Sequence, residues 1–274
     1  MPRPGGTNEA LQQIELGLLS VPGGYKAMGR TYRGIIEPTL AQYTLLGDVT
    51  TQSDGLQYDP SLAPGARTGT SSSVADDRWV FTEDNPDREL ATAAGLATAA
   101  RVLQKTNPGM AADALAAARD LYAHAIDRAD KLKPKVFATA ELARTTHERA
   151  YVDRLLAMKT DIVAHIDEAG PPLAEALPLI DDAAFLGEVD AAVRAHQAKL
   201  AEEATHTPYG VPYVPYIWGA GWDIQKFGVD QYFFRKAWPQ HTPDTLQMEA
   251  LNFVLGVHPG NNTESFASGV GAKL

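Results

Sequence analysis

Residues 88–106 read RELATAAGLATAARVLQKT, and this stretch decides the fold class. Small and apolar residues recur in it at helical spacing and form one stripe: Leu90, Ala93, Ala94, Ala97 and Ala100. Alanine at contact positions lets the axes of two helices approach closely. The segment ends at Asn107-Pro108-Gly109, which stops a helix. The stretch therefore predicts a helix that packs tightly against its neighbours.

The same periodicity returns along the chain and predicts further helices. They cover residues 8–20, 110–131, 148–169, 182–203, 223–238 and 244–256. The connections between them are rich in Gly and Pro, and no run of alternating strands is visible. We therefore expect residues 1–274 to form a single all-α domain of helical hairpins. Pattern alone leaves a bundle, a solenoid and a toroid open, because no fixed-period repeat is present.

Composition excludes several classes of site. The 274-residue chain has a net charge of −10, so the basic face of a nucleic-acid binder is absent. It contains no cysteine, which rules out disulfides, thiolate metal sites and a cysteine nucleophile. No apolar run reaches the length of a membrane span, and no nucleotide-binding fingerprint occurs. No cofactor or metal site is predicted.

One aromatic loop stands out near the C-terminal end, PYIWGAGWDIQKFG from Pro215 to Gly228. It places Trp218 and Trp222 four residues apart, with glycines between them and Asp223 directly after. Flanking Gly and Pro indicate a loop in which the backbone can approach a partner closely. The two indoles either plug the top of the core or form a platform for a flat ligand.

A second candidate loop carries DDRWVFTED, in which Arg78 and Trp79 follow two aspartates. Charged groups bind sugar hydroxyls, and an indole covers the apolar face of a sugar ring. The loop therefore suits sugar recognition. The alternative is a loop anchored by a buried tryptophan with an ion pair at the surface.

The last part of the chain resembles glycoside hydrolase family 9, a family of inverting cellulases and glucosidases. Its WGAGWDIQKFG is followed by a helix and then by ALNFVLGVHPGNNTESFASGVG, from Ala250 to Gly271. The family carries a Trp-Gly loop, a helix and a YLLGxNPxxxSFVTGxG element. The residues that match it in order and spacing are Leu255, Gly256, Pro259, Ser265, Phe266, Gly269 and Gly271. The alanine-rich helix pair from residue 87 to residue 125 is similar to the family's helices after its substrate loop.

The resemblance implies an (α/α)6 toroid in which inner helices line a funnel and loops form the sugar-binding face. It implies hydrolysis of β-linked glucosyl or glucosaminyl residues, with an oligosaccharide or polysaccharide as the partner. Trp218 occupies the place of the family tryptophan that stacks on a glucosyl ring. The candidate substrate-binding residues are thus Trp218, Trp222, Asp223, Arg78 and Trp79. An extracellular or periplasmic location is also implied.

The chain departs from the family at the catalytic carboxylates. The family base lies in an Asp-Ala-Gly-Asp motif, which does not occur here, and the family acid lies beyond the Ser-Phe-x-x-Gly element. An inverting hydrolase needs both groups. We therefore predict no catalytic residue in this chain. We expect a toroid incomplete at both ends, whose partner is the remainder of a parent catalytic domain. The family's acidic calcium turn is also missing from the corresponding THERAYVD, so no calcium site is predicted.

Two other classes of function remain open from the sequence. The first is a sugar-binding protein without catalysis, which keeps only the aromatic platform. The second is another helical-toroid carbohydrate enzyme, such as a polysaccharide lyase or a sugar epimerase. That enzyme needs its own pair of proton-transfer residues, for which His206 and Tyr209 are the candidates.

Overall fold

The computed structural model describes residues 6–28, 31, 35–36, 43–45, 79–81, 85–213, 219–257, 265, 267 and 270. Ten α-helices lie in these ranges: α1 (Gly6–Met28), α2 (Pro86–Leu103), α3 (Pro108–Ala125), α4 (Leu132–Thr146), α5 (Arg149–Ala157), α6 (Lys159–Ala164), α7 (Ile166–Ala174), α8 (Ala183–Ala204), α9 (Ala220–Ala237) and α10 (Thr245–Leu255). A 3-10 turn at Leu177–Leu179 separates α7 from α8. None of these helices is long and apolar enough to cross a membrane.

The side chain of the preceding residue caps the first turn of three helices. Asn85 accepts a hydrogen bond from the Arg88 amide over 3.0 Å, and Pro86 occupies the first turn of α2. Asn107 repeats this arrangement at the start of α3. Asp182 caps α8 by accepting from the Phe185 amide over 2.8 Å. These caps satisfy amides that a helix leaves unpaired at its first turn.

Four helices form an inner row. α4 packs between α2 and α7, and α7 packs in turn against α9. The other helices α3, α5, α6, α8 and α10 lie on the outside; α3, α5, α8 and α10 each follow an inner helix along the chain, and α6 follows α5. The predicted stripe on α2 is buried along its whole length. This is the hairpin arrangement of a partial (α/α)6 toroid, so the predicted all-α fold class is confirmed.

The inner helices run parallel. At their N-terminal ends, the Lys131 amide before α4 donates to Asp87 of α2 over 3.0 Å. At their C-terminal ends, Arg101 of α2 donates to Glu141 of α4 over 2.6 Å. Parallel inner helices place all their starts at one end of the arc. The described chain enters α2 at Asn85 and α9 at Gly219 from that end, which is named the loop end here.

The core is continuous along the arc. One cluster of buried side chains joins α1 to α4, and a second joins α4 to α9. α7 and α9 approach closely at Gly170, where a Cβ atom would lie 2.3 Å from the ring of Phe234. Glycine at this position is required by that contact, because any larger side chain would overlap the ring.

The structure corrects several expected boundaries. The helix α4 was not predicted at all, and residues 148–169 form α5, α6 and the start of α7 with breaks at Met158 and His165. His147 adopts a left-handed conformation with φ 58° and ends α4, so the next helix begins at Arg149 and Thr146 belongs to the end of α4. The breaks let the outer chain follow the inner row closely.

A small antiparallel sheet was also not expected. It consists of β1 (Ile35–Ile36), β2 (Tyr43–Leu45) and β3 (Trp79–Phe81), with β3 in the centre. Trp79 lies opposite Ile36 on one side and opposite Leu45 on the other. The prediction of a loop at Trp79 was therefore wrong. Aromatic and β-branched residues such as those of Trp79–Phe81 favour extended backbone when neighbouring strands can pair with them.

Candidate functional site

A cavity of about 560 Å³ opens at the loop end, beside the first turns of α9. Its walls are the end of α8, residues 206–213 and Phe253 of α10. The volume lies within the range of small-molecule sites, about 300–1,000 Å³. This loop-end cavity is the candidate functional site, because it lies where the inner helices begin.

The floor of the loop-end cavity is apolar. Val211, Ile224 and Phe253 are buried together in one small cluster. The ring of Tyr209 meets that of Phe253 edge to face, with centroids 4.9 Å apart. Edge-to-face geometry is a favourable arrangement for two aromatic rings. The floor can therefore contact an apolar face of a ligand.

The segment after α8 is shaped by local hydrogen bonds. The Thr207 hydroxyl donates to the Val211 carbonyl over 2.8 Å, and the Tyr213 amide donates to the same carbonyl over 2.7 Å. Gly210 has a φ of 67°, a conformation that disfavours other residues. The tight turn directs Tyr209 and Tyr213 to the cavity.

Polar groups stand around the rim. Glu203, His206, Tyr209 and Tyr213 all line the cavity. The Tyr213 hydroxyl donates to Asp223 Oδ2 over 3.5 Å, which joins the loop to the first turn of α9. A carboxylate in the first turn is stabilised by the helix dipole. No group of three or more potential metal ligands occurs among the described residues.

The predicted site residues are placed unevenly. Trp218 and Arg78 lie outside the described residues, and for Trp79 the structure describes its position in β3. Trp222 and Asp223 lie in the first turn of α9. This helix begins at Ala220, before the predicted start at residue 223. Trp222 is 78% exposed, so it does not plug the core. Asp223 reaches the loop-end cavity through Tyr213, and Trp222 stands next to it without lining the cavity.

Sequence reasoning missed most of the cavity wall. Neither Glu203 nor Tyr213 is among the predicted site residues, although both line the cavity. His206 and Tyr209 were named only for an alternative enzyme class, yet both line the cavity. The available signal was HTPYGVPYVPY, in which tyrosines alternate with prolines directly before the tryptophan loop. Aromatic residues held by prolines in a loop are typical of a binding surface.

Comparison with known proteins supports the fold. No family model matches the sequence, and a search of curated proteins finds no significant match. Among solved structures, a metagenome-derived glycoside hydrolase family 9 endoglucanase superimposes with a TM-score of 0.56 at 19% identity, covering 72% of this chain and 40% of its own length. The family 9 endoglucanase J30 gives 0.55 at 18% identity, covering 72% and 41%.

A thermostable endoglucanase from Alicyclobacillus acidocaldarius, solved as a single mutant, gives a TM-score of 0.60 at 16% identity. The match covers 90% of this chain and 47% of that enzyme. The chain thus spans less than half the length of the solved structures that it matches. Likeness at such low identity establishes the fold. The resemblance to glycoside hydrolase family 9 read from the motifs is confirmed at that level, and the fold is glycoside hydrolase-like.

Proposed function

We propose that the chain is the sugar-binding part of a carbohydrate-active hydrolase and that the loop-end cavity holds a β-linked glucosyl or glucosaminyl oligosaccharide. The single observation that carries this proposal is the position of the cavity. It opens at the start of an inner helix in a glycoside hydrolase-like toroid, between aromatic rings and the Tyr213–Asp223 pair. In this proposal the whole described arc and the connections around it belong to one sugar-binding domain.

The chemistry of the cavity fits a sugar ring. A glucosyl residue presents C–H bonds on its faces and hydroxyls around its rim. Tyr209 and Phe253 offer apolar faces, while the Tyr213 hydroxyl, which donates its proton to Asp223, offers its oxygen as an acceptor for a sugar hydroxyl. In the same proposal the exposed Trp222, together with Trp218, Arg78 and Trp79, extends the binding surface beyond the cavity. Trp218 stacks on the sugar nearest to the cleaved bond.

Hydrolysis with inversion requires both a carboxylic acid and a carboxylate base. The Asp-Ala-Gly-Asp motif of the family base is absent. In our proposal the inverting reaction takes place when both carboxylates are supplied by the parent catalytic domain, and this chain alone binds sugar without turning it over. Incubating the purified chain with an aryl β-glucoside tests this directly. Turnover at ordinary enzyme rates would contradict it.

Binding is tested by calorimetric titration of the chain with cellotetraose and with chitobiose. We expect Tyr213→Phe and Asp223→Asn each to weaken binding, because each changes one partner of the hydrogen bond that positions Tyr213 in the cavity wall. Asp161→Asn is the matched control, since Asp161 is an exposed acid in the first turn of α6. Equal affinities for all three variants would contradict binding at this cavity.

A lyase or epimerase remains the second candidate, because His206 and Tyr209 line the same cavity. Such an enzyme uses a base and an acid from this pair to move protons on a sugar carbon. It would be recognised by an unsaturated or epimerised product that disappears in both His206→Gln and Tyr209→Phe. The hydrolase proposal predicts no such product.

A further inference from the structure

One side-chain hydroxyl closes the turn that lines the loop-end cavity, residues 207–213, which is named the cavity turn here. The Thr207 hydroxyl donates to the Val211 carbonyl over 2.8 Å, with the Ala204 carbonyl at 3.2 Å as a weaker second acceptor. The backbone bond across the same turn, from the Gly210 amide to the Thr207 carbonyl, is 3.4 Å long, beyond the ordinary range of about 2.7–3.2 Å. Among the described residues, the hydroxyl therefore supplies the one bond of ordinary length between the two arms of the turn.

The Val211 carbonyl links this hydroxyl to a tyrosine of the cavity wall. It also accepts from the Tyr213 amide over 2.7 Å, and Val211 itself is buried in the cavity floor. Because one oxygen accepts from both groups, the Thr207 hydroxyl holds the carbonyl to which the backbone of Tyr213 is bonded. The Tyr213 hydroxyl in turn donates to Asp223. Thr207 thus acts on the rim of the cavity through Val211 and Tyr213.

The tip of the cavity turn contains a residue that permits other conformations. Gly210 has a φ of 67°, and glycine has a freedom of conformation that other residues lack. The tip lies against α10, because a Cβ atom on Gly210 would lie 3.2 Å from Cγ of Glu249. On the first arm, the ring of Tyr209 packs on Phe253 of α10. α10 therefore supports the tip and the first arm, whereas the backbone of the second arm is joined to the first by the Thr207 hydroxyl.

We propose that Thr207 is a positioning residue for sugar binding, because its hydroxyl holds the cavity turn in the shape that presents Tyr209 and Tyr213 to the ligand. The hydroxyl proton is used within the turn and is not donated to the sugar. A wall that is already shaped before binding loses less conformational entropy when the ligand arrives. This inference rests on the sugar-binding function proposed for the loop-end cavity and adds the group that forms the site in advance.

Calorimetric titration with cellotetraose compares three variants with the original chain. Thr207→Val keeps the shape of the side chain but removes the donor, so it should weaken binding about fivefold, the scale of one lost hydrogen bond. Thr207→Ser keeps the donor and should stay within about twofold of the original affinity. Thr205→Val is the matched control, since the exposed Thr205 donates to the Glu202 carbonyl over 2.7 Å and does not line the cavity. Its affinity should be unchanged.

Hydrogen exchange at the Tyr213 amide reports the shape of the turn without any ligand. This amide is bonded to the Val211 carbonyl, so a turn that opens more often exposes it to solvent more often. Thr207→Val should speed this exchange about threefold or more, while Thr207→Ser and Thr205→Val should stay within about twofold of the original rate. Circular dichroism of each variant checks that the helices are intact.

Each result has its own meaning. If the original chain does not bind cellotetraose, the sugar site is overturned and this proposal with it. If the original chain binds and Thr207→Val binds equally well, the positioning role alone is overturned. Equal losses in Thr207→Val and Thr207→Ser would contradict a role for the hydroxyl, and so would an equal loss in Thr205→Val.

The two readouts together separate positioning from direct contact. Weaker binding by Thr207→Val with unchanged exchange at Tyr213 would make Thr207 a ligand contact and overturn its positioning role. A Thr207→Val chain that fails to fold, beside a Thr207→Ser chain that folds, would make the hydroxyl a requirement of the fold and overturn the proposal as well. Weaker binding and faster exchange in Thr207→Val, both restored in Thr207→Ser, is the result that the proposal predicts.

Discussion

Arg144 Nη2 donates to Glu175 Oε2 over 2.6 Å, and this contact ties the end of α4 to the end of α7. The same guanidinium binds Glu141 within α4, whose side chain is only 6% exposed. Ion pairs thus connect the C-terminal ends of all four inner helices. They hold the helices parallel and leave the loop end free to carry the binding surface.

Arg144→Met should destabilise the fold. It removes one charge-assisted hydrogen bond from each of two largely buried carboxylates, and a hydrogen bond to a charged group contributes about 1.5–3 kcal/mol. Urea unfolding followed by circular dichroism measures the change. Arg149→Met removes an arginine that forms only exposed ion pairs, with Asp153 and Asp181, and should unfold like the unmodified chain. If the two variants unfold alike, the inner-helix ion pairs do not stabilise the arc.

Gly170→Ala should also destabilise the fold, by about 1–3 kcal/mol, because the new methyl group would overlap the Phe234 ring and force α7 away from α9. Gly187→Ala is the control, since a Cβ atom there meets nothing within 4 Å in the exposed part of α8. Alanine is the better helix former, so that variant should be more stable by up to about 1 kcal/mol. Equal midpoints of thermal unfolding would contradict the close approach of α7 and α9.

Replacing Trp238 with alanine should lower the stability of the fold, whereas replacing Trp222 with alanine should leave it nearly unchanged. Trp238 is buried against Phe234, and its truncation should cost about 3–5 kcal/mol of unfolding free energy. Trp222 is exposed, so its truncation should change stability by no more than about 0.5 kcal/mol. If it belongs to the proposed sugar surface, Trp222→Ala should weaken oligosaccharide binding by about 1–3 kcal/mol. A stable variant with unchanged affinity would remove Trp222 from that surface.

Stability should fall on mild acidification because of His196. Burial is the main cause that lowers the pKa of this histidine, and Lys199 lowers it too, while Asp167 and Glu203 raise it. The unfolded chain therefore binds the proton at a higher pH than the folded chain does. The stabilising difference is complete above the unfolded pKa of about 6.5 and is lost as the pH falls through the folded pKa.

Thermal unfolding from pH 8 to pH 5 in parallel with His196→Gln checks this dependence. The original chain should lose more stability over that interval than the variant, which has no proton to bind at this position. NMR titration of the His196 ring should give a pKa below its ordinary value. A ring that titrates above that value would reverse the sign of the effect.

The helices were predictable where the signal is local. The stripe from Leu90 to Ala100 follows from spacing alone, and all of it is buried. The helix Leu132–Thr146 was missed because its charged and proline-containing start hides the apolar positions Val136, Ala140 and Ala143. Those positions become recognisable only when α2 and α7 cover them on both sides.

The site was less predictable, for physical reasons. A strand such as Trp79–Phe81 depends on partners that lie more than thirty residues away along the chain, at Ile35–Ile36 and Tyr43–Leu45. The ion pairs between Arg144 and Glu175, and between Glu175 and Lys236, join different helices and leave no trace in local spacing. Of the five predicted site residues, Asp223 is the one that the described structure connects to the loop-end cavity. The roles of Trp218 and Arg78 stay predictions.

The central claim is that the loop-end cavity binds a β-linked oligosaccharide, and amide NMR with cellotetraose tests it most directly. The account predicts that the shifted amides cluster at residues 206–213 and 220–224, around Tyr209, Tyr213 and Asp223. Asp223→Asn should weaken this response while Asp161→Asn leaves it intact. Shifts that cluster elsewhere in the described chain, or no shifts at saturating sugar, would contradict the account.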